Sequence, residues 1–240
     1  MIGTILNTVG ILLGGIVGVI RSTPLSASTE SFWKVTLGAF TVYYGLRLTW
    51  ISLSGSPAHM LKQVLFAIVA LSLGRLTGWM MGLQRISNRL GQKARERINA
   101  ASEESPKDAS EGFKVCAFLF CAAPLGFIGA VEDGVSGYFY PLAVKGVMDG
   151  FAAIGMARFF GWSVGIAALP VLALQGTITL ACIQWVRPVL EQRQLIEAVN
   201  ATGGLMIFSV ALVILQLKKV SLADYLPSLV YAPLIAWLMK

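Results

Sequence analysis

Apolar runs of about 20 residues, the length that an α-helix needs to cross a bilayer, alternate with short polar segments along this chain. The pattern predicts an all-α fold, a polytopic transmembrane helical bundle of seven to eight helices without a separate soluble domain. The helices are predicted at residues 3–20, 35–53, 62–83, 113–131, 141–160, 162–186, 196–216 and 222–239. The first run has no basic segment before it and no cleavage site after it, so we interpret it as a retained span.

One hydrophilic segment, residues 84–112, interrupts the apolar pattern. It begins as a basic amphipathic helix and ends in a linker rich in Ser, Glu and Pro. Basic amphipathic helices lie in the membrane interface and attract anionic lipid headgroups. We therefore predict a lipid-binding cytoplasmic loop that separates a first membrane unit (1–83) from a central helix pair (113–160) and a last unit (161–240).

The distribution of Lys and Arg predicts the orientation, because cytoplasmic loops of membrane proteins are enriched in both. Twelve of these residues, Arg21 and Lys107 among them, fall on the side of segment 84–112, and four fall on the opposite side. The long loop is therefore predicted to be cytoplasmic and both termini external.

Weak similarity between the first three and the last three helices predicts an inverted repeat. Three correspondences carry it, at offsets of 168, 166 and 166 residues: Asn7 with Gln175, Arg21 with Arg187, and Leu37-Gly38 with Gly203-Gly204. The two triplets start an odd number of spans apart, so they would have opposite orientations. Inverted repeats build many secondary transporters, whose sites lie near the membrane midplane. Chance similarity between glycine-rich helices is the alternative.

The amino-acid composition excludes most other classes of protein. Hydrophobic residues are 56% of the chain and charged residues 13%, far from a soluble domain. The net charge of +7 does not indicate nucleic acid, because the basic residues crowd a loop beside membrane helices and form no aromatic-interleaved module. Cys116, Cys121 and Cys182 fall in predicted spans without metal or redox spacing, so we interpret them as reduced core residues.

Sequence motifs typical of enzymes are missing. The only histidine is His59, and the sequence contains no HExxH, GxSxG or GxxxxGK[ST] motif. An intramembrane hydrolase would need a second midplane carboxylate, and none is evident on another helix. We predict that the chain is not an enzyme and has no cofactor or metal site.

Glycines recur at every fourth position in two predicted helices: Gly10, Gly14 and Gly18 in the first, and Gly74, Gly78 and Gly82 in the third. This spacing places them along one side of each helix, where another backbone can approach closely. Packing within the bundle is the simpler interpretation, and a seam between two copies in a homo-oligomer is the alternative.

Asp149 is the main candidate for function, because it lies near the middle of the fifth predicted helix. If that helix begins at Pro141, a favoured first-turn residue, Asp149 lies about 12 Å along its axis. Lys145 is four residues earlier, on the same face, so the two side chains can form an ion pair. Arg47 and Arg75 are alternative partners. Titratable groups near the membrane midplane commonly form ion or proton relays. A purely structural ion pair is the alternative interpretation.

Glu132 and Asp133 follow a segment where Pro124 and glycines predict irregular backbone, with the fourth helix running out at Gly129. They are predicted to form either a solvated acidic turn or a cation-attracting outer mouth.

Prolines and glycines also predict breaks in the sixth helix, at Pro170 and Gln175-Gly176, and in the eighth. Neutral polar side chains that could contact a ligand near such breaks, or simply join helices, are Asn7, Gln175 and Asn200.

Five segments together resemble the YqgA-like family of bacterial inner-membrane proteins, a domain of unknown function: GTILNTVGILLGGIVGVI, FLFCAAPLGFIGAVEDGVSG, KGVMDGFAAIGMA, PVLALQGTITL and AVNATGGLMIF. The resemblance implies a multi-pass inner-membrane protein with a loose association with biofilm formation. It carries over Asn7, Glu132, Asp133, Gly134, Asp149, Gln175 and Gly203-Gly204. The chain departs from the family at Trp79, where relatives often have an acidic residue, and at Asp224, where they have Asn.

These observations predict a small secondary transporter or ion-translocating protein with a polar path around the fifth helix. Its partners would be the lipid bilayer and a small solute or cation. A membrane scaffold or sensor that acts through segment 84–112 is the first alternative, and a passive channel is the second.

Overall fold

The computed structural model describes residues 1–20, 26–103 and 109–239, and all regular structure in these ranges is helical. The α-helices are α1 (Ile2–Ile20), α2 (Ala27–Ser52), α3 (Pro57–Met81), α4 (Leu83–Glu103), α5 (Ala109–Cys121), α6 (Pro124–Val135), α7 (Tyr140–Phe160), α8 (Ser163–Ile166), α9 (Ala168–Ala181), α10 (Arg187–Gln192), α11 (Ile196–Ile214) and α12 (Ser228–Leu238). A π-helical turn (Cys182–Val186) joins α9 to α10, and a 3₁₀ turn (Leu222–Tyr225) precedes α12. The all-α prediction is confirmed.

Four helical segments within the described residues are long and apolar enough to cross a membrane: α1, α3, the run Ser163–Gln192 that contains α9, and α11. The pair α5 and α6 becomes a fifth if it is counted as one span, with a bend of 59° between its halves. The helices α2 and α7 do not meet this criterion, and α12 is too short. Length and composition thus identify four or five candidate spans among the described residues, fewer than the eight predicted.

The predicted helices lie close to the observed ones, with one long extension. The second helix begins at Ala27 instead of 35, because the Ser26 side chain accepts a hydrogen bond from Thr29 N and caps the first turn. The observed α7 begins at Tyr140 with Pro141 in its first turn, as predicted. Asp149 therefore lies near the centre of this helix.

The breaks fall partly at other positions than predicted. A break at Pro124 separates α5 from α6, but the helix does not run out at Gly129 and continues to Val135. The predicted break at Gln175-Gly176 is wrong, since α9 is continuous there. Pro170 lies in the first turn of α9, where its missing N–H removes no intrahelical hydrogen bond.

Three glycines of α1 lie against α7. A Cβ atom at Gly10 or Gly14 would overlap the backbone of Gly146 or Gly150, and Gly18 meets α7 in the same way further along. Both series of contacts rise in residue number, so α1 and α7 run parallel. This close backbone contact brings Gly146, next to Lys145, to the middle of the α1 span.

Two further seams join the first and last parts of the chain. Gly45 of α2 lies against Gly204 and Phe208 of α11. Gly74 of α3 lies against Ser228 at the start of α12, and Gly78 contacts the 3₁₀ turn in the same way. These helix pairs are antiparallel.

Gly82 differs from the other glycines of the series. It ends α3 in a left-handed conformation, with φ of 68°, and a Cβ there would meet only the Arg85 side chain at 3.9 Å. Gly82 therefore terminates a helix instead of lining a packing surface.

The hydrophilic segment forms the helix α4, which packs one side on the bundle. Ala94 is buried in a core cluster, and Ile98 is packed against the same cluster. Arg97 is joined to Glu111 at the start of α5 by hydrogen bonds of 2.8 and 2.9 Å. Residues 104–108 of the predicted linker, including Lys107, lie outside the described residues, as does Arg21.

Candidate functional site

The centre of the candidate site is an ion pair within the bundle. Lys145 Nζ donates to the Asp149 carboxylate one turn along α7. The Lys145 side chain is only 2% exposed and the Asp149 side chain 13% exposed. A charge pair inside an apolar bundle is maintained only when further polar groups satisfy it.

The break between α5 and α6 provides the first of these groups. Lys145 Nζ also donates to the Phe120 carbonyl oxygen at 3.0 Å. That carbonyl lies in the last turn of α5, where helix carbonyls have no intrahelical donor. Lys145 therefore links α7 to the broken helix through a buried carbonyl that has no intrahelical donor.

A pair of side-chain amides provides the second set of polar groups near the ion pair. Asn7 Nδ2 donates to Gln175 Oε1 at 3.0 Å, and both side chains are almost fully buried. The Asn7 backbone lies against Gly146, the residue next to Lys145 on α7. Asn7 thus connects the ion pair on α7 to Gln175 on α9, so that α1, α7 and α9 meet at one polar cluster.

Two atoms of this cluster keep unused hydrogen-bonding capacity. Asn7 Oδ1 and Gln175 Nε2 are buried and have no hydrogen-bond partner within the described part of the chain. A Cβ at Gly126 would lie 3.0 Å from Gln175 Nε2 and 3.1 Å from Lys145 Cε, so this glycine of α6 closes the cluster from the side of the break. The polar cluster, defined as Asn7, Lys145, Asp149, Gln175 and the Phe120 carbonyl, therefore presents both an unused acceptor and an unused donor.

Glu132 is buried in the last turn of α6 and is fully inaccessible. Its Oε1 atom has no partner within the described residues, while Oε2 lies 3.5 Å from Ser136 Oγ. A Cβ at Gly203 would overlap this carboxylate, so α11 approaches Glu132 through a glycine backbone. The prediction of a solvated acidic turn is thus wrong, because α6 continues through these residues and packs against α11.

Asp133, the next residue of α6, contacts the start of α1 and caps that helix. Its Oδ2 accepts from Gly3 N at 3.1 Å, and its Oδ1 accepts from the Met1 amino group at 3.2 Å. A carboxylate at a helix N-terminus satisfies backbone donors and is favoured by the helix dipole. The geometry gives Asp133 a structural role.

We expect Asp133→Ala to lower the free energy of unfolding by about 1 kcal/mol, the usual effect of losing an N-terminal cap. Asp133→Asn keeps an acceptor oxygen and should lose less. Thermal melting of the purified protein in detergent measures both variants. Equal melting temperatures for Asp133→Ala and the native chain would contradict the capping role.

The remaining candidates lie outside the polar cluster. Arg47 lies over the Tyr140 ring at 5.8 Å and Arg75 over the Tyr225 ring at 5.9 Å, so neither pairs with Asp149. Asn200 lies on α11 one turn before Gly203, on the side that faces Glu132, and its Oδ1 has no partner within the described residues.

Two groups that form part of the polar cluster or border it were not identified from the sequence, the Phe120 carbonyl and Gly126. Pro124 was the available signal, because a break at a proline frees carbonyls in the preceding turn. Across the described ranges no group of three or more His, Cys, Asp or Glu side chains is arranged to hold a metal ion. The cluster can bind a cation through Asp149 or exchange a proton there, with Lys145 as a competing charge.

The chain matches a family model described as "Protein of unknown function (DUF554)" over residues 2–237. It is 30% identical over 239 residues to "Uncharacterized membrane protein YdfK" of Bacillus subtilis (strain 168), which covers 100% of this chain and 97% of that protein. It is 28% identical over 234 residues to "Uncharacterized protein YqgA" of Escherichia coli (strain K12), with 97% and 94% covered. No solved structure matches the chain.

The family match extends over nearly the whole chain, and the resemblance inferred from the sequence motifs is confirmed by it. The candidate spans agree with the description of the Bacillus relative as a membrane protein. The chain therefore belongs to the DUF554 family and is a membrane protein with several apolar spanning helices.

Proposed function

We propose that this protein is a small secondary transporter or ion-translocating protein in which Asp149 binds the coupling cation, a proton or Na⁺. The observation that carries the proposal is the largely buried Lys145–Asp149 pair beside a broken helix. Broken helices and buried charges near midplane are the means by which many transporters bind ions.

The mechanism follows from the shared contacts of Lys145. In the observed state Lys145 bonds to both Asp149 and the Phe120 carbonyl. A cation that binds Asp149 removes the attraction between the carboxylate and the ammonium, so Lys145 is released from Asp149. Because Lys145 also contacts the end of α5, ion binding would change how the broken helix packs on α7.

A solute would bind to the unused polar atoms of the cluster. Asn7 Oδ1 offers an acceptor and Gln175 Nε2 a donor, so the cluster suits a small polar molecule that carries both kinds of group. Glu132 and Asn200 would continue the polar path toward the other end of α6.

An eight-span arrangement with the long loop in the cytoplasm is part of the proposal. What supports it is the direction of the packed pairs: α1 is parallel to α7, while α2 is antiparallel to α11 and α3 to α12. Eight helices that alternate in direction would produce all three relations. The charge bias of twelve against four supports a loop on the cytoplasmic side and both termini outside, in a bacterial inner membrane.

The inverted repeat is supported by the positions of its corresponding residues. Asn7 and Gln175, which correspond at an offset of 168 residues, bond to each other. Thr4 also bonds to Thr179 at 3.2 Å, so α1 and α9 cross antiparallel around this point. A two-fold axis in the membrane plane would bring corresponding residues together in this way, at the midplane.

The experiment is ion and solute flux into proteoliposomes that contain the purified native chain. A panel of small polar solutes is applied under inward proton and sodium gradients, with protein-free liposomes as the control. Uptake that depends on one of the two gradients is expected. Conductance without any coupling would indicate a channel instead.

The rival proposal is a scaffold or sensor that acts through α4, favoured by the many basic residues on this helix. It requires that deletion of residues 88–110 abolishes the cellular phenotype while Asp149→Ala is tolerated. The transporter proposal requires instead that Asp149→Ala abolishes the cellular phenotype.

A further inference from the structure

A groove with a volume of about 660 Å³ opens on the side of the bundle between α3, α11 and the turn Leu222–Tyr225. We name it the Arg75 groove. Its apolar walls include Ile68, Leu71 and Met206, and its polar groups include Arg75, Ser209 and Tyr225. The groove shares no residue with the polar cluster around Asp149.

Among the described residues, the Arg75 side chain has no acidic partner. Its guanidinium lies 5.9 Å from the centre of the Tyr225 ring. None of the ion pairs within the described residues includes it. The nearby Asp224 is buried and accepts from Gln84 N at 2.9 Å, so it caps α4. An exposed arginine on an apolar span is costly unless an anion or water reaches it.

The polar and apolar parts of the groove lie at different depths. Arg75 is six residues before the end of α3, which is about 9 Å along the axis and near the membrane interface. Trp79 lies one turn beyond it, where aromatic residues commonly mark the headgroup level. Ile68 lies about 10 Å to the other side of Arg75, toward the middle of the bilayer.

We propose that the Arg75 groove binds an anionic phospholipid. The phosphate would bond to the guanidinium, whose planar fork suits a phosphate, with the Tyr225 hydroxyl as a further donor; the Ser209 hydroxyl already donates to the Leu205 carbonyl oxygen at 2.9 Å. One acyl chain would follow the apolar wall toward Ile68. The charge complementarity extends beyond the groove, since Arg85 and Arg89 follow on α4 directly after α3 ends. This site is independent of the transport proposal.

The test compares the native chain with Arg75→Gln and Arg75→Lys in detergent, with added phosphatidylglycerol or phosphatidylcholine. Bound lipid is counted by native mass spectrometry, and stability is followed by thermal melting. We expect phosphatidylglycerol to bind the native chain more tightly than phosphatidylcholine. Arg75→Gln should weaken phosphatidylglycerol binding by roughly tenfold, as for the loss of a charge-assisted hydrogen bond, and Arg75→Lys should weaken it less.

Arg47→Gln is the matched control, because Arg47 also lies exposed over a tyrosine ring but near the opposite end of the bundle. It should bind phosphatidylglycerol as the native chain does. Leu71→Trp fills the groove without removing charge and should also weaken binding. Unchanged binding in both Arg75→Gln and Leu71→Trp would overturn the proposal. Equal affinity for the two lipids, equal protection by inorganic phosphate, or a dimer whose interface covers the groove would overturn it too.

Discussion

Lys145→Met is expected to lower the free energy of unfolding by about 3–5 kcal/mol, the cost of leaving one member of a buried ion pair without its partner. Lys145 is 2% exposed and holds both Asp149 and the Phe120 carbonyl. The substitution leaves a carboxylate and a helix-terminal carbonyl unsatisfied in an apolar bundle. Unfolding of the purified protein in mixed micelles by added denaturing detergent measures the effect.

The double variant Lys145→Met/Asp149→Leu should recover most of this loss, because two apolar side chains then replace two charges. Arg187→Gln is the matched control. Arg187 also forms a pair with the residue four positions later, Glu191, but the two side chains are 44% and 49% exposed. Its loss should change stability by about 0–1 kcal/mol. A double variant less stable than Lys145→Met would contradict the energetic role assigned to the pair.

Gly10→Ala is expected to destabilise the protein by about 1–3 kcal/mol through overpacking. A Cβ at this position would overlap the backbone of Gly146, which cannot move aside as a flexible side chain can. The helices α1 and α7 would have to separate, and Lys145 next to Gly146 would be displaced. We therefore expect the substitution to impair flux as well as stability.

Gly155→Ala on α7 is the control for this prediction. A Cβ at Gly155 would meet nothing within 4 Å, and alanine favours a helix by about 1 kcal/mol over glycine. The control should be as stable as the native chain or slightly more stable. Similar destabilisation by the two substitutions would show that the effect at Gly10 is not due to the contact with α7.

The sequence predicted the helices well because each membrane crossing leaves a long apolar run. It also predicted that Lys145 and Asp149 could pair, since their spacing alone places them on one helix face. Contacts between distant segments were harder to predict. The bond between Asn7 and Gln175 was anticipated only as a correspondence between repeats, without any indication that the two residues meet.

Burial was the property that the sequence predicted least well. Glu132 and Asp133 looked like a turn at the membrane surface, because two acidic residues and a glycine follow an apolar run. Their burial depends on Gly203 of α11 and on the start of α1, which are distant in the chain. The partners of Arg47 and Arg75 are likewise tyrosines from other elements, which spacing along the sequence does not indicate.

Flux in proteoliposomes that carry Asp149→Asn tests the central claim most directly. The substitution keeps the size of the side chain and a hydrogen-bond acceptor for Lys145, but it removes the charge that would bind a cation. Glu191→Gln, a matched exchange on an exposed side chain, serves as the control. Gradient-driven uptake in the native chain and in Glu191→Gln, abolished by Asp149→Asn, is the predicted result. Uptake unchanged by Asp149→Asn, or no uptake by the native chain under any gradient, would contradict it.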